Sequence, residues 1–244
     1  MDARAATAAT KVPVVALGGG FMRSREARDF GARVGLDGWG PYFRGRCGVL
    51  GEADADVVAA AATFFPPGLV RASWDGRGAL GAADAARGYA EACQAWGRRR
   101  LAGFDPARRL TELLEAVVNR ADVAGAPLFA GWRALPLPDD PPARVAQLAH
   151  VLRELRGAMH AVAVLAGGLT PLQAILASRP EDARFFGWPE PYPDVDDEVR
   201  RRRARAEELT DELVAPAYAA LGDGEAQELV DLLDHAHRTA FPPA

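Results

Sequence analysis

Residues 143–166 read ARVAQLAHVLRELRGAMHAVAVLA, and the periodicity of this stretch decides the fold class. Val145, Leu148, Leu152, Leu155, Met159 and Val162 recur at three- and four-residue spacing. That spacing winds them into one stripe of an α-helix, whereas a strand would need alternation. At about 100° per residue, His150, Arg153, Glu154, Gly157 and His160 gather on the opposite side. Ala146, Ala161 and Val164 share that side, so it is not a plain solvated face. A mid-helix glycine costs up to ~1 kcal/mol relative to alanine unless backbone or ligand approaches closely. Polar residues mixed with small ones therefore predict a second packed face whose polar atoms have partners.

Working outward, LPLPDDPPA (135–143) reads as a linker and Gly167-Gly168 closes the helix. Thr170 caps a short helix, TPLQAILAS, and GWPEPYPDV (187–195) is proline-broken and extended. A charged helix is expected over about 196–214 and a last one over about 225–239. Upstream, helices are expected over 21–35, over 54–64 behind Asp54 or Asp56, and over about 80–100 and 106–120. WGPYFRGRCGVLG (39–51) reads as a structured loop, and Met1–Thr10 as a frayed arm. No repeat and no alternating strand run appears. The expectation is a mostly α fold: a multi-helix bundle with an N-terminal arm (1–20), an N-terminal helical region (21–134) and a C-terminal helical region (143–244), packed as one unit.

Composition is that of an ordinary globular chain, with 49% hydrophobic and 25% charged residues over 244 positions. A core of this size needs no disulfide framework or structural metal, and Cys47 and Cys93 read as free thiols. No run reaches the roughly 20 apolar residues of a membrane span, and no export signal is evident. The expected location is the cytoplasm. Lys11 is the sole lysine, a bias of the kind a GC-rich genome produces, so arginine is simply the default cation here. The net charge of −4 disfavours a nucleic-acid partner, because phosphate neutralisation needs a basic footprint.

Three conspicuous motifs read as structural. VVALGGGF (14–21) lacks both the glycine spacing of a dinucleotide fingerprint and a following βαβ unit, which leaves a turn or helix break. His235 and His237 diverge at i,i+2 on a helix and sit in a last turn, where the dipole favours them. VRRRRAR (199–205) is flanked by acids at helical spacing on both sides, which makes a salt-bridge-laced solvated face.

The chemistry therefore concentrates on 143–166. His150 and Glu154 lie one turn apart, so the carboxylate can orient the imidazole or take its proton. His150 and His160 are the candidate acid/base pair with Glu154 as orienting group, while Arg46, Arg153 or Arg156 hold an anionic group. A His150/Glu154/His160 metal site is the alternative arrangement; otherwise no metal or cofactor is expected.

Three stretches, GLDGWGPYFRGRCGVLG (35–51), PLFAGWRALPLPDDPPARVAQLAHVLRELRGAMHAVAVLAGG (127–168) and APAYAALG (215–222), resemble an actinobacterial family of MarR-like helix-turn-helix proteins. Tyr42, Phe43, Gly45, Arg46, Leu50 and Gly51, then Pro127, Leu128, Trp132, His150, Arg153, Glu154, Arg156, Gly157 and His160, fall on the family's pattern. The resemblance adds Tyr42 to the ligand-binding candidates. Two departures stand out. Val15 occupies a position where members carry histidine, and the recognition helix and wing expected after Gly187-Trp188 are missing, leaving a degenerate winged-helix-like C-terminal part. The implied function is a small-molecule-binding protein or enzyme of specialised metabolism with cyclisation, isomerisation or elimination chemistry. The alternatives are a dimeric DNA-binding regulator and a non-catalytic partner protein that associates as a homodimer or heteromer.

Overall fold

The structure, a computed structural model, describes residues 1–76 and 80–242. Residues 77–79 and 243–244, which the sequence assigns to the two helical regions, lie outside the described residues. In chain order the helices are α1 (Ala3–Gly19), α2 (Arg25–Val34), α3 (Gly40–Cys47), α4 (Ala55–Ala61), α5 (Pro67–Asp75), α6 (Ala82–Arg100) and α7 (Ala107–Arg120). They continue as α8 (Pro127–Arg133), α9 (Pro141–Ala166), α10 (Pro171–Ser178), α11 (Pro180–Phe185), α12 (Asp197–Tyr218) and α13 (Glu225–Ala240). Single 3-10 turns cover Gly20–Arg23 and Gly48–Leu50. No strand occurs among the described residues, and the fold is all-α.

α9 is the axis around which the rest assembles. Asp140 accepts a hydrogen bond from the Ala143 amide, and Pro141 and Pro142 occupy the first turn, where a missing N–H costs nothing. The expected linker is thus shorter, since its last residues begin the helix. α1, α6, α7, α8 and α12 all pack on α9. Val145, Leu148, Leu152 and Leu155 are buried as the periodicity implies, but so are Ala146, Gln147, Ala149, His150, Val151 and Glu154. Through its middle α9 is enclosed on every side. The apolar stripe fails only at its C-terminal end, where Val162 is 43% exposed.

The frayed arm is corrected. Asp2 caps α1, and Ala6, Val14 and Leu17 are buried where α1 packs on α9, α12 and α13. Small residues let α1 approach closely, and that packing overrides its weak periodicity. With its 3-10 turn, Ala3–Arg23 is also long and apolar enough by length and composition to cross a membrane, which corrects the expectation that no run is; 44% of its apolar window is buried within the protein. The loop expected over 39–51 is a helix too, because Pro41 starts α3 and Phe43, Arg44, Arg46 and Cys47 are buried along it. α5 and α8, both opened by proline in the first turn, have no counterpart in the sequence expectations.

Elsewhere caps settle the boundaries. Thr170 and Gln173 form a reciprocal capping box at α10, and Asp196 caps α12, which runs on through Pro216 to Tyr218. α11 has six residues, and the chain then passes Gly187 and Trp188 and reaches α12 without a further helix or strand.

Candidate functional site

The site begins where α1 crosses α9. A Cβ on Gly18 would lie 2.5 Å from the Ala149 carbonyl oxygen and 2.9 Å from the His150 Cα, so glycine is what allows the two backbones to touch. This contact brings the Gly18 carbonyl to 2.9 Å from His150 Nδ1. A carbonyl only accepts, so Nδ1 carries the proton and, in the neutral ring, Nε2 presents a lone pair. The imidazole is fully buried, edge-on to Phe21 (5.2 Å) and Trp132 (4.1 Å). Burial pushes its pKa down to about 4 and outweighs the attraction of Glu154, so His150 is neutral at pH 7. Nε2 has no hydrogen-bond partner among the described residues, and the nearest Glu154 oxygen is 3.6 Å away.

Glu154 belongs to the arginines. Arg46 grips it with both arms of its fork, Nε to Oε1 at 2.9 Å and Nη2 to Oε2 at 2.7 Å, and Arg153 Nη1 adds a third contact at 2.9 Å. Burial opposes ionisation of Glu154, yet Arg46, with His150 and Arg153, overrides it and holds the carboxyl at about 2. Arg46 likewise stays cationic despite burial, because Glu154 faces it. α3 delivers Arg46, the Trp132 indole donates to its carbonyl at 2.9 Å, and the Tyr42 ring lies 5.5 Å from its guanidinium. Tyr89, from α6, joins this packed cluster. Its ring packs on Phe21 at 4.8 Å and Trp132 at 6.4 Å, the two rings that also flank His150. The Tyr89 hydroxyl is buried without a hydrogen-bond partner among the described residues.

His160 does not join this cluster. Ten residues along a helix are about 15 Å, and the structure gives His160 its own partners. Thr210 donates its hydroxyl to the Ala206 carbonyl at 2.6 Å, so His160 Nδ1 donates to Thr210 Oγ1 at 2.9 Å. The imidazole stacks on Phe64 at 5.5 Å, and burial, reinforced by Arg203, lowers its pKa to about 4. Arg156 stands in this second group, paired with Asp211 at 2.7 Å and with Glu207. The His150–His160 acid/base pair is therefore corrected, because helical rise separates the two rings. The His150/Glu154/His160 metal alternative falls for the same reason, and no metal-competent cluster of His, Cys, Asp and Glu exists among the described residues. Tyr42, Arg46, His150, Arg153 and Glu154 do come together; Arg156 and His160 stand apart.

The sequence reading missed Tyr89 and Gly18. Tyr89 carries no local signal, since an aromatic at helical spacing on α6 reads as core. Gly18 had one: three consecutive glycines imply close approach, but not what approaches.

Two consequences are measurable. Both histidines have folded-state values near 4 against an ordinary 6.5, so the unfolded chain binds more protons in that interval. Stability should fall as pH drops from about 6.5 toward 4, before the loss at Glu154 and Glu207, whose depressed carboxyls matter only as pH falls below about 4.5 toward 2. Urea midpoints measured from pH 7 to 5 check this, and a flat profile counts against neutral buried histidines. Gly157 is the second. A Cβ there meets nothing within 4 Å, so no packing in the protein requires the glycine. Gly157→Ala is expected to stabilise the chain by up to ~1 kcal/mol in thermal denaturation.

The surface offers little else near α9. Two open depressions lie on α13; one, of about 580 Å³, is lined by Asp231, Leu232, His235, Arg238 and Thr239, none of them a site residue expected from the sequence. On α12, Arg201 and Arg202 reach Glu198 at 2.8 and 2.9 Å, Arg203 reaches Glu207 at 2.8 Å, and Arg205 reaches Glu208 at 3.6 Å. The charged helix is laced by its own acids, as the spacing implies.

Comparison with known proteins adds a family and nothing finer. No curated protein and no solved structure matches the chain. The model of one family, described as a helix-turn-helix family, matches residues 6–190, which takes in the α1–α9 crossing, α3 and all of α9. The chain belongs to this helix-turn-helix family.

Proposed function

We propose that the chain is a small-molecule-binding protein whose site is at the polar cluster that α1, α3, α6 and α9 gather around Glu154, and that DNA reading is not its activity. The observation that carries this is a charge imbalance: one carboxylate, Glu154, is shared by two guanidiniums, the buried Arg46 and the partly exposed Arg153. With His150 neutral, Arg153 carries one surplus positive charge where the buried cluster meets solvent, and two buried polar atoms of the cluster have no partner among the described residues. Buried polar groups in native proteins are nearly always satisfied, and a buried charge is paired or neutralised. An anionic ligand meets both demands. Arg153, with its side chain 25% exposed, and the half-buried Tyr42 are the residues of the cluster nearest solvent. Acid/base chemistry of the isomerisation or elimination kind would then rest on the His150 lone pair alone.

The reading against DNA stands on two observations. The α12 arginines are neutralised within their own helix, and salt-dependent phosphate binding needs unpaired cations. Between Trp188 and α12, where the family's recognition helix and wing are expected, the described residues hold neither helix nor strand to enter a major groove. Native mass spectrometry of the purified full chain, alongside retention on duplex DNA at 50 and 200 mM salt, tests the proposal. The expected result is a bound small molecule in the native chain, its loss in Arg153→Gln, and no salt-steep DNA retention. Retention on DNA that falls steeply with salt, with no small molecule bound, overturns it in favour of a regulator.

A further inference from the structure

Two adjacent residues just beyond the end of α4 touch both polar groups of α9. The Phe64 ring stacks on His160 at 5.5 Å. The Phe65 ring lies 5.4 Å from Tyr42, whose own ring lies over the Arg46 guanidinium. Gly157 sits on α9 between the two groups, one turn after Arg153 and one turn before His160, and a Cβ there would meet nothing within 4 Å. The turn that follows α11 holds both phenylalanines in place. The Trp188 indole donates to the Phe64 carbonyl at 3.0 Å, and Phe186 packs on Phe65 at 4.8 Å. Phe185 meets Trp39, a neighbour of Tyr42, at 5.4 Å.

Otherwise α11 is lightly tied. Among the described residues no ion pair joins 179–194 to the rest of the chain, and the Trp188 bond is the one side-chain hydrogen bond that does. Its apolar residues belong to a small core that includes Ile175, Leu176, Ala183 and Trp188 and is separate from the main core around α9. α10 is the fixed side, because Ala174 is buried with Ala163 and Val164 of α9 and Ala206 of α12. A segment with few ties and its own core opens locally, at a lower free energy than global unfolding. We propose that α11 and the Phe185–Trp188 turn form a lid, hinged on α10, whose release frees Phe64 and Phe65 and admits solvent and solutes to α9 at Gly157, between Arg153 and His160. Its use as an entrance rests on the small-molecule reading above; its motion does not. Lids of this kind commonly gate binding sites.

Amide hydrogen exchange of the full chain, with the histidines followed by NMR, tests the lid. Amides of 182–188 are expected to exchange at least about tenfold faster than those of 145–155 in α9. Trp188→Phe keeps an aromatic ring and removes the bond to Phe64. It should speed exchange about tenfold over both 182–188 and 62–66, the effect of one hydrogen bond. His160, no longer pinned beneath Phe64, should titrate upward from about 4 toward 6.5 as water reaches it, with Arg203 and Arg156 still opposing its charge and Glu207 and Asp211 favouring it. His150, held between Phe21 and Trp132, should stay near 4. Phe185→Ala, at a residue 45% exposed, is the second variant and should speed 182–188 and 62–66 without lowering the thermal melt. Exchange of 182–188 at the rate of α9 overturns the lid, because only global unfolding then opens it. Faster exchange confined to 182–188, with 62–66 and His160 unmoved in both variants, also overturns it and leaves α11 a frayed surface helix. None of these readouts needs a bound molecule, so an empty chain in native mass spectrometry removes the small-molecule function while the lid stands.

Discussion

Replacing Glu154 by leucine is expected to destabilise the protein by about 3–5 kcal/mol, which for a chain of 244 residues is a fall in Tm of roughly 6–20 °C. Glu154 is 2% exposed and Arg46 9%, so the substitution leaves a buried guanidinium with no counter-charge and Arg153 beside it. The loss measures an uncompensated charge rather than the net worth of the pair. Replacing Arg46 by methionine in the same chain should therefore recover much of it, because an apolar pair of similar volume is often neutral relative to a buried ion pair. Urea unfolding of the two single variants and the double variant gives the cycle. A loss below about 1 kcal/mol for Glu154→Leu, in the range of an exposed pair, would show that solvent reaches Glu154.

Gly18→Ala carries the second large effect, about 3 kcal/mol of destabilisation. The added methyl meets backbone atoms, the Ala149 carbonyl at 2.5 Å and the His150 Cα at 2.9 Å, and neither can swing aside as a side chain can. α1 must move off α9, and the hydrogen bond between His150 Nδ1 and the Gly18 carbonyl opens with it. Two measurements separate this from a general loss of packing. Urea unfolding reports the stability, and the titration of His150 by NMR should move up from about 4 toward the ordinary value as water enters. An unchanged His150 titration in a destabilised variant would place the strain elsewhere. Gly157→Ala, where the added methyl meets nothing within 4 Å, is expected to respond with the opposite sign.

How much was legible in advance differs between fold and site. The long helices α6, α7, α9, α12 and α13 were visible through their own periodicity, and Thr170 and Asp196 marked the starts of α10 and α12. α1, α3, α5 and α8 were not, since small residues, glycine and proline obscure local preference and only neighbours make those segments helical. For the site, helical spacing put His150, Arg153 and Glu154 together correctly and promised that they have partners. It also put His160 with them, because a wheel projects out the axial coordinate and ten residues of rise vanish in it.

The polar face of 143–166 was thus a property of the sequence alone, as was the self-neutralised arginine run of α12, because both depend only on contacts within one helix. What the tertiary structure decided is which polar groups are satisfied. Arg46 comes to Glu154 from 108 residues away, and the Gly18 carbonyl comes to His150 from 132 residues away. No spacing rule reaches that far. Long-range packing therefore determined that Glu154 is a shared counter-ion and that His150 is a neutral acceptor.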